Sequence, residues 1–225
     1  MQASRKGSRI AEVDVDVVYP ASKRALDRCV ATLLLLVLAP VFAVALGALW
    51  LDRLGSVRDR GPLLYREQRI SRGRAFELLK FRTLRRDVLA ARGDGEAHAR
   101  LLEANPENLT WTGRRVLKPW YLDELPQLVN VLRGDMSLVG PRPWPRSMVE
   151  HQVASGHDYR LHVPAGWTGP AQVQKGITDP SGYTDLDLAY VEACKTWSGA
   201  RLVLHDLAIL WRTVKVLARG EGLQY

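Results

Sequence analysis

Cysteine is nearly absent from this chain, with only Cys29 and Cys194 among 225 residues. Two cysteines so far apart give neither the framework of a disulfide-rich secreted domain nor a cysteine-based metal site. The five histidines lack the His-Glu-x-x-His spacing that holds zinc on one face of a helix. These absences exclude the common cysteine and histidine metal centres and fit a reducing, cytoplasmic setting.

Internal repeats and low-complexity linkers are also missing, which argues against a second domain. A chain of 225 residues with 47% hydrophobic composition predicts one compact domain with a short appendage. Lys and Arg outnumber Asp and Glu by 32 to 24, so the formal net charge is +8. This charge favours an anionic partner such as nucleic acid, anionic lipid or a phosphorylated substrate, and by itself it does not choose among them.

Charged residues are missing altogether between Cys29 and Leu51. At ~1.5 Å per residue a continuous helix over this run would be about 34 Å long, enough for a hydrocarbon core of ~30 Å. Pro40 lies in the middle of the run, where it removes a backbone hydrogen bond and clashes with the preceding turn. We therefore predict a membrane helix within residues 23–60 that is broken near Pro40.

Basic residues flank this run on both sides: Lys23, Arg24 and Arg28 before it, and Arg53, Arg58 and Arg60 after it. The rule that positive loops stay cytoplasmic then gives no direction of crossing. A re-entrant helix, which enters and leaves through one leaflet, satisfies both flanks. A single-pass anchor with a mild kink stays open, whereas a signal peptide or a buried soluble helix fits the length and position poorly. Residues 1–22 are expected to form an N-terminal tail.

The remaining sequence predicts a mixed α/β fold that is mostly helical with short strands. Strands are expected at 63–65 and 76–81 around a turn at 71–74, and helices at 123–133, 146–154, 187–197 and 201–219. In the last helix, Arg212, Lys215 and Arg219 accompany an apolar face. This pattern suits the lipid headgroup boundary and equally suits packing in a core.

Two adjacent carboxylates, Asp123 and Glu124, lie at the start of a predicted helix. Because neighbouring carboxylates repel, keeping both ionised requires a cation, either a metal ion or arginine. Mg²⁺ bound through one or two carboxylates and substrate phosphates suits this best. The helix N-terminus favours phosphate and a deprotonated Asp123, which can attack phosphorus. The same residues also fit a simple helix start, with Asp123 as N-cap and Pro126 in the first turn.

A diphosphate site is expected to use arginine as a planar fork and lysine as a point charge. The candidates are Arg69, Lys80, Arg82, Arg142 and Arg160. Taken singly, each also fits an ordinary solvated surface charge. Arg142 differs, because Pro141 and Pro143 restrict the backbone on both sides of it.

The motifs Asp-Glu-Leu-Pro-Gln at 123–127, Asn-Val-Leu-x-Gly-Asp-Met-Ser at 130–137 and Val-Gly-Pro-Arg-Pro at 139–143 resemble the core signature of the bacterial sugar transferases. These are monotopic phosphoglycosyl transferases that start glycan assembly on a polyprenol carrier. Further matches are Lys23-Arg24-x-x-Asp27, Lys80-Phe81-Arg82-Thr83, Thr168-Gly169-x-Ala171-Gln172-Val173 and Asp206-Leu207-x-Ile209-Leu210. The ordered set is far more specific than any one motif, and it resembles the small form of the family, without the larger members' extra membrane helices and second domain.

The resemblance implies transfer of a sugar-1-phosphate from a UDP-sugar to polyprenol (undecaprenyl) phosphate with release of UMP, as in exopolysaccharide, O-antigen, capsule or glycoprotein synthesis. It implies Asp123 as the nucleophile that carries the phosphosugar and Glu124 as a Mg²⁺ ligand. It places Pro141-Arg142-Pro143 in the nucleotide site. It also places Lys80 and Arg82 beside the pair of carboxylates Asp123 and Glu124, which we call the dyad. It also implies a re-entrant anchor in the bacterial inner membrane, with the catalytic domain, residues 61–225, on the cytoplasmic face.

Two other functions stay open on the sequence alone. A membrane-tethered nucleotide-sugar hydrolase would use the same metal and carboxylates with water as the acceptor. A non-catalytic basic module bound to the membrane would explain the charge without chemistry. The sequence lacks the interleaved aromatic and basic residues of nucleic-acid readers, so no nucleic-acid partner is expected.

Overall fold

A computed structural model describes residues 17–92, 99–175, 179 and 181–220 of the chain. In this part the protein is mostly helical with short strands, as predicted. The chain divides into two compact units. Unit 1 comprises Met1–Ala31, Gln68–Glu77 and Asn130–Tyr225, and unit 2 comprises Thr32–Glu67 and Leu78–Val129. The predicted tail lies outside the described residues up to residue 16, and the predicted boundaries at 22 and 60 stay predictions.

Two helices cover the apolar run, α1 (Ala21–Val37) and α2 (Ala39–Gly55), with a bend of 60° between them. Pro40 lies in the first turn of α2, where a missing N–H is tolerated, while its ring prevents α1 from continuing through this point. The predicted break near Pro40 is confirmed. Among the described residues no single helix is long and apolar enough to cross a membrane, whereas the bent pair passes that test together. The re-entrant arrangement stays a prediction.

The predicted strands form a hairpin of β1 (Leu64–Ser71) and β2 (Arg74–Phe81). Arg72 and Gly73 connect them with φ values of 50° and 70°. Two consecutive residues with positive φ form the tight turn whose twist matches that of the paired strands. The hairpin is thus confirmed, with a first strand that extends well beyond the predicted 63–65.

Unit 2 continues after the hairpin with short helical segments. These are α3 (Arg86–Arg92), α4 (Ala99–Glu103), a π-helical turn (Gly113–Leu117) and a 3₁₀ turn (Leu122–Glu124), followed by α5 (Gln127–Arg133), which begins in this unit. Its core includes the rings of Phe42 and Phe81, whose centroids lie 5.5 Å apart. The charged, alanine-rich sequence of 87–103 also predicts a solvated helix with an interruption at 93–95, and that interruption lies outside the described residues.

The helix predicted over 123–133 begins later than expected. Hydrogen bonds from Leu125 to Leu122 and from Leu128 to Leu125 have the i to i+3 spacing of a 3₁₀ helix. Pro126 has no N–H to donate to the preceding turn. The α-helix therefore starts at Gln127, and Asp123 lies in the 3₁₀ turn before it.

Unit 1 is built around a short parallel sheet of β3 (Ser137–Val139) and β4 (Gly166–Thr168), with Ser137 opposite Gly166 and Val139 opposite Thr168. A Cβ on Gly166 would lie 2.1 Å from the nitrogen of Gly140, so only glycine allows the two backbones to approach this closely.

Four helices accompany this sheet: α6 (Arg146–Ala154), α7 (Pro170–Val173), α8 (Ser181–Thr196) and α9 (Gly199–Ala218). The bounds of α6 are those predicted. The helices predicted at 187–197 and 201–219 are confirmed, although α8 begins earlier than expected.

A buried polar network fastens the start of α1 within unit 1. The side chain of Lys23 is 1% exposed and forms an ion pair with Asp206, which is 0% exposed. Lys23 Nζ also donates to the Val139 carbonyl oxygen at 3.2 Å, and the Tyr190 hydroxyl lies 2.9 Å from Asp206 Oδ1. One turn further along α1, Asp27 accepts hydrogen bonds from Ser137 Oγ at 2.9 Å and from the Leu138 N–H at 3.1 Å.

Replacing Lys23 by methionine is expected to destabilise the protein by about 3–5 kcal/mol, because the substitution leaves Asp206 buried without its cation. Tryptophan fluorescence during denaturant unfolding in detergent measures this. The control is Arg146→Met, which removes one partner of the exposed pair with Glu150 and costs about 0–1 kcal/mol. Adding Asp206→Leu to Lys23→Met restores part of the loss. Equal, small losses in the variant and the control would contradict the role of the pair.

Candidate active site

The carboxylates of Asp123 and Glu124 are both buried in the 3₁₀ turn of unit 2, and Asp123 is only 2% exposed. Tyr121, immediately before this turn, has φ 56° and ψ 22°. This left-handed conformation is unfavourable for a residue with a Cβ, and such residues concentrate at functional sites. The backbone is therefore strained immediately before the two carboxylates.

Two lysines neutralise the two carboxylates. Lys118 Nζ lies 2.9 Å from Asp123 Oδ2 and 2.6 Å from Glu103 Oε2. Lys80 Nζ lies 3.4 Å from Glu124 Oε1, as expected for a residue predicted beside the dyad. On its other side, Glu103 accepts a hydrogen bond from Thr83 Oγ1 at 2.7 Å.

Sequence reasoning did not identify Lys118 or Glu103. Lys118 follows the π-helical turn and lies five residues before Asp123, a separation that matches no regular helix or strand contact. Glu103 belongs to a segment that reads as an exposed, charged helix. No sequence pattern predicts a site role for either residue, because they come into contact only when unit 2 folds.

Burial raises the pKa of Asp123 above its ordinary value, Lys118 and Lys80 oppose this rise, and Glu124 adds to it. Burial lowers the pKa of Lys118, but the carboxylates of Asp123 and Glu103 outweigh it, so the net shift is upward. Lys118 is therefore held as an ammonium ion. The positive charge nearest Asp123 comes from a lysine and not, as expected, from a helix N-terminus, because α5 begins only at Gln127.

The donor set of the dyad fits Mg²⁺. Among the residues described here, no group of three or more His, Cys, Asp and Glu side chains is arranged to hold a metal ion. Mg²⁺ does not need such a cage, because it commonly binds through one or two carboxylates together with substrate phosphates and water. Glu124 and Asp123 supply hard carboxylate oxygens of this kind.

Arg82 lies in unit 2 and is 1% exposed. Its guanidinium donates to three backbone carbonyl oxygens: Nε to Pro62 at 2.8 Å, Nη1 to Leu84 at 2.8 Å and Nη2 to Asp59 at 2.5 Å. These bonds fix the chain where it leaves β2. The predicted substrate-binding role of Arg82 stays a prediction.

The other predicted residues belong to unit 1. Arg160 donates from Nη1 to the Arg142 carbonyl oxygen at 2.6 Å, pairs with Asp187 at 3.0 Å and stacks on the Trp144 ring at 3.9 Å. Burial raises the pKa of Asp187 to about 6, although Arg160 opposes the shift. The contact between Arg160 and Arg142 is therefore made by the Arg160 side chain and the Arg142 backbone.

The two prolines and Arg69 have separate positions in unit 1. The Pro141 carbonyl oxygen accepts from the Gly166 N–H at 2.8 Å, Pro143 is half-buried, and Arg69 is buried on β1. The predicted substrate-binding roles of Arg69, Pro141, Arg142, Pro143 and Arg160 stay predictions.

Three curated relatives show what the chain is similar to. It is 34% identical over 219 residues to the UDP-glucose:undecaprenyl-phosphate glucose-1-phosphate transferase of Caulobacter vibrioides, covering 93% of this chain and 75% of the relative. It is 35% identical over 213 residues to the undecaprenyl-phosphate galactose phosphotransferase of Salmonella typhimurium, covering 89% of this chain and 41% of the relative. It is 34% identical over 217 residues to the exopolysaccharide production protein ExoY of Sinorhizobium fredii, covering 89% of this chain and 87% of the relative.

The chain thus spans less than half the length of the Salmonella relative and most of the length of the other two. The sequence profile of one family, described as bacterial sugar transferase, matches residues 18–220. This match includes both units and every predicted site residue. The chain therefore belongs to the bacterial sugar transferase family and is an enzyme of the transferase class.

Proposed function

We propose that this enzyme transfers a sugar-1-phosphate from a UDP-sugar to undecaprenyl phosphate and releases UMP, as a membrane step of bacterial glycoconjugate synthesis. The names of the Caulobacter and Salmonella relatives support the lipid acceptor and the phosphosugar group, and the name of ExoY supports exopolysaccharide synthesis. The observation that carries the proposal is the buried Asp123 carboxylate held by Lys118 in a chain of this family.

In the first half-reaction, an Asp123 carboxylate oxygen attacks the β-phosphorus of the UDP-sugar. A bond forms from this oxygen to phosphorus, the bond from phosphorus to the UMP oxygen breaks, and UMP leaves. In the second half-reaction, a phosphate oxygen of the polyprenol phosphate attacks the same phosphorus and displaces Asp123. One difficult transfer becomes two easier ones, with ping-pong kinetics.

The lysines contribute fixed positive charge to both steps. Lys118 lies against Asp123 and Lys80 against Glu124, which supports a role for both in stabilising the charge that phosphate oxygens gain in the transition state. Glu124 would hold Mg²⁺, which would supply further positive charge to the diphosphate. Burial of Asp123 excludes water, which limits hydrolysis of the acyl phosphate.

We further propose that α1 and α2 form a re-entrant anchor in the inner membrane and that the catalytic residues face the cytoplasm. The bend of 60° between the helices supports this. Unit 2 exposes Trp50 and Leu54 on α2, and it also exposes Trp111 and Trp120. Exposed tryptophan is typical of the boundary between headgroups and hydrocarbon.

In unit 1 the helix α9 has two apolar faces. Leu202, Ile209 and Val216 are buried, whereas Leu204, Leu207, Trp211 and Val214 form an exposed apolar stripe, with Lys215 Nζ 5.4 Å from the Trp211 ring centroid. The sequence left core packing and an interfacial role as alternatives for α9; its buried face packs in the core, and its exposed stripe supports an interfacial role. An exposed apolar stripe beside lysine suits a helix that lies at the headgroup boundary.

Asp123→Asn is expected to reduce UMP release by at least about a thousand-fold, because the amide is a poor nucleophile. Detergent-solubilised enzyme with Mg²⁺ and a panel of UDP-sugars is assayed for UMP, and intact mass spectrometry without acceptor detects the added phosphosugar. Asp87→Asn, on an exposed carboxylate paired with Arg85, is the matched control.

Two outcomes contradict this mechanism. In the first, the Asp123→Asn variant retains UMP release. In the second, lipid-linked product accumulates in the wild type while the acidic pair gains no mass. Release that continues past one equivalent without any lipid acceptor would instead show the hydrolase, since a transferase stops at the covalent intermediate.

Lys118→Met is expected to move the acid limb of the pH profile of UMP release upward by about 1–3 units. Lys118 lowers the pKa of Asp123, so removing its charge raises that pKa, and the reactive carboxylate is then lost at a higher pH. Lys118→Arg keeps the charge and is expected to leave the limb nearly in place. A rate that falls equally at every pH in Lys118→Met would contradict this role.

A membrane-impermeant label is expected to reach tags at both chain ends from the cytoplasmic side only. Inverted vesicles expose both tags, and intact spheroplasts protect both. This result follows because a helix that enters and leaves through one leaflet keeps both of its ends on one side. Labelling of the N-terminal tag in spheroplasts would show a spanning helix and contradict the re-entrant anchor.

A further inference from the structure

A cavity of about 740 Å³ lies within unit 1, and none of the predicted site residues lines it. Its walls come from the start of α1, the turn of the β1–β2 hairpin and the connection from α5 to β3. Four arginines line it: Arg24, Arg28, Arg72 and Arg74. Two carboxylates, Asp27 and Asp135, also line it, so the four guanidinium groups leave the lining with a net positive charge.

The two carboxylates that line the same cavity, Asp27 and Asp135, accept hydrogen bonds from neutral groups. Both oxygens of Asp27 accept hydrogen bonds from neutral donors: Ser137 Oγ and the Tyr19 hydroxyl at Oδ2, and the Leu138 N–H at Oδ1. Asp135 Oδ2 accepts from Asn130 Nδ2 at 2.9 Å. Among the residues that the structure describes, no carboxylate forms an ion pair with three of the arginines, namely Arg24, Arg72 and Arg74.

Two of the arginines are held in place by the backbone that precedes α1. Arg24 Nη1 donates to the Tyr19 carbonyl oxygen at 2.7 Å, and Arg72 Nη2 donates to the Val17 carbonyl oxygen at 2.8 Å. A guanidinium has five N–H donors, so one such bond orients the group and still leaves donors for a ligand. Both groups are therefore oriented in advance, which lowers the entropic cost of binding an anion.

The backbone at Arg72 is strained. Its φ of 50° is in the left-handed region, and Arg72 and Tyr121 are the two non-glycine residues with positive φ in the described part of the chain. Asparagine, aspartate or glycine is preferred at the first position of such a hairpin turn. Tyr121 precedes the dyad. By the same reasoning, the strain at Arg72 indicates that its side chain serves a function that outweighs the cost to the fold.

The arginines also act on one another. Burial lowers the pKa of Arg72, and the charges of Arg74 and Arg24 lower it further, while Tyr19 partly opposes them. Charges that repel one another in this way are stabilised by an anion between them.

We propose that this cavity, which we call the arginine cavity, binds a phosphate group. Phosphate oxygens match the planar fork of arginine, and several forks around one cavity favour a group with more than one negative charge or more than one oxygen to offer. The phosphate comes either from the headgroup of an anionic lipid or from a soluble phosphate compound. Neither Asp123 nor Glu124 lines this cavity, and binding of a phosphate there needs no sugar transfer.

Arginine footprinting on the full chain tests this proposal and distinguishes the two sources. The protein in phosphatidylcholine nanodiscs is modified with phenylglyoxal in chloride, and mass spectrometry gives the rate at each arginine. One arm adds inorganic phosphate at equal ionic strength, and another replaces part of the lipid by phosphatidylglycerol. Arg115, which is exposed and outside the cavity, is the internal reference.

Arg72 and Arg74 are expected to react about fivefold more slowly in at least one arm, which corresponds to four-fifths occupancy, while Arg115 is unchanged. Protection by inorganic phosphate identifies a soluble source, and protection by phosphatidylglycerol alone identifies a lipid headgroup. Absence of protection in both arms, or equal protection at Arg115, overturns the proposal. Footprinting does not measure UMP release, so a negative footprinting result would not contradict the proposed function.

Arg72→Asn separates binding from a structural role. It creates an Asn-Gly turn, the sequence that this hairpin geometry prefers, so the Tm is expected to stay level or rise while protection of Arg74 is lost. Arg74→Gln, on an exposed side chain, is expected to remove the protection of Arg72 in the same way. Retained protection in both variants overturns the proposal.

Discussion

A carboxylate that is removed from water needs a cation, and the chemistry of this enzyme depends on how unit 2 meets that need. Asp123 is buried beside Lys118, which Glu103 also holds. Burial alone would keep Asp123 protonated and unreactive, while full exposure would leave the covalent intermediate that we propose open to water. A buried carboxylate paired with a lysine lies between these extremes, since it is shielded from water and the lysine favours its ionised form.

The lipid acceptor that we propose would impose a second constraint, because its phosphate would stay near the headgroup layer. Several features of the chain suit this depth. The helices α1 and α2 are apolar and bent at Leu38 and Pro40, and α9 carries an exposed apolar stripe opposite its buried face. An enzyme whose own surface rests at the boundary can bring a water-soluble donor to a substrate confined to the membrane.

Two neighbouring basic residues at the start of α1, Lys23 and Arg24, have different environments. Lys23 is fully buried and paired with Asp206, so it stabilises the attachment of α1 to the sheet and to α9. Arg24, one residue later, is exposed at the arginine cavity with Arg72, where the available carboxylates are already engaged by neutral donors. Lys23 stabilises the fold, and Arg24 lies at the cavity where we propose that a phosphate group binds.

The sequence by itself determined the features that depend on neighbouring residues. Pro40 interrupts the apolar run, Arg72 and Gly73 form the turn between the two strands, and the helix predicted at 146–154 is α6. The order of motifs was enough to indicate the family and to single out Asp123 and Glu124. Only the tertiary structure decided the partners, because ion pairs such as those of Glu103 with Lys118 and of Lys23 with Asp206 join residues that no local rule connects. Whether a given arginine holds the fold, as Arg82 does, or faces a cavity, as Arg72 does, depends on burial and on the carbonyl groups within reach, and a linear sequence does not contain those distances.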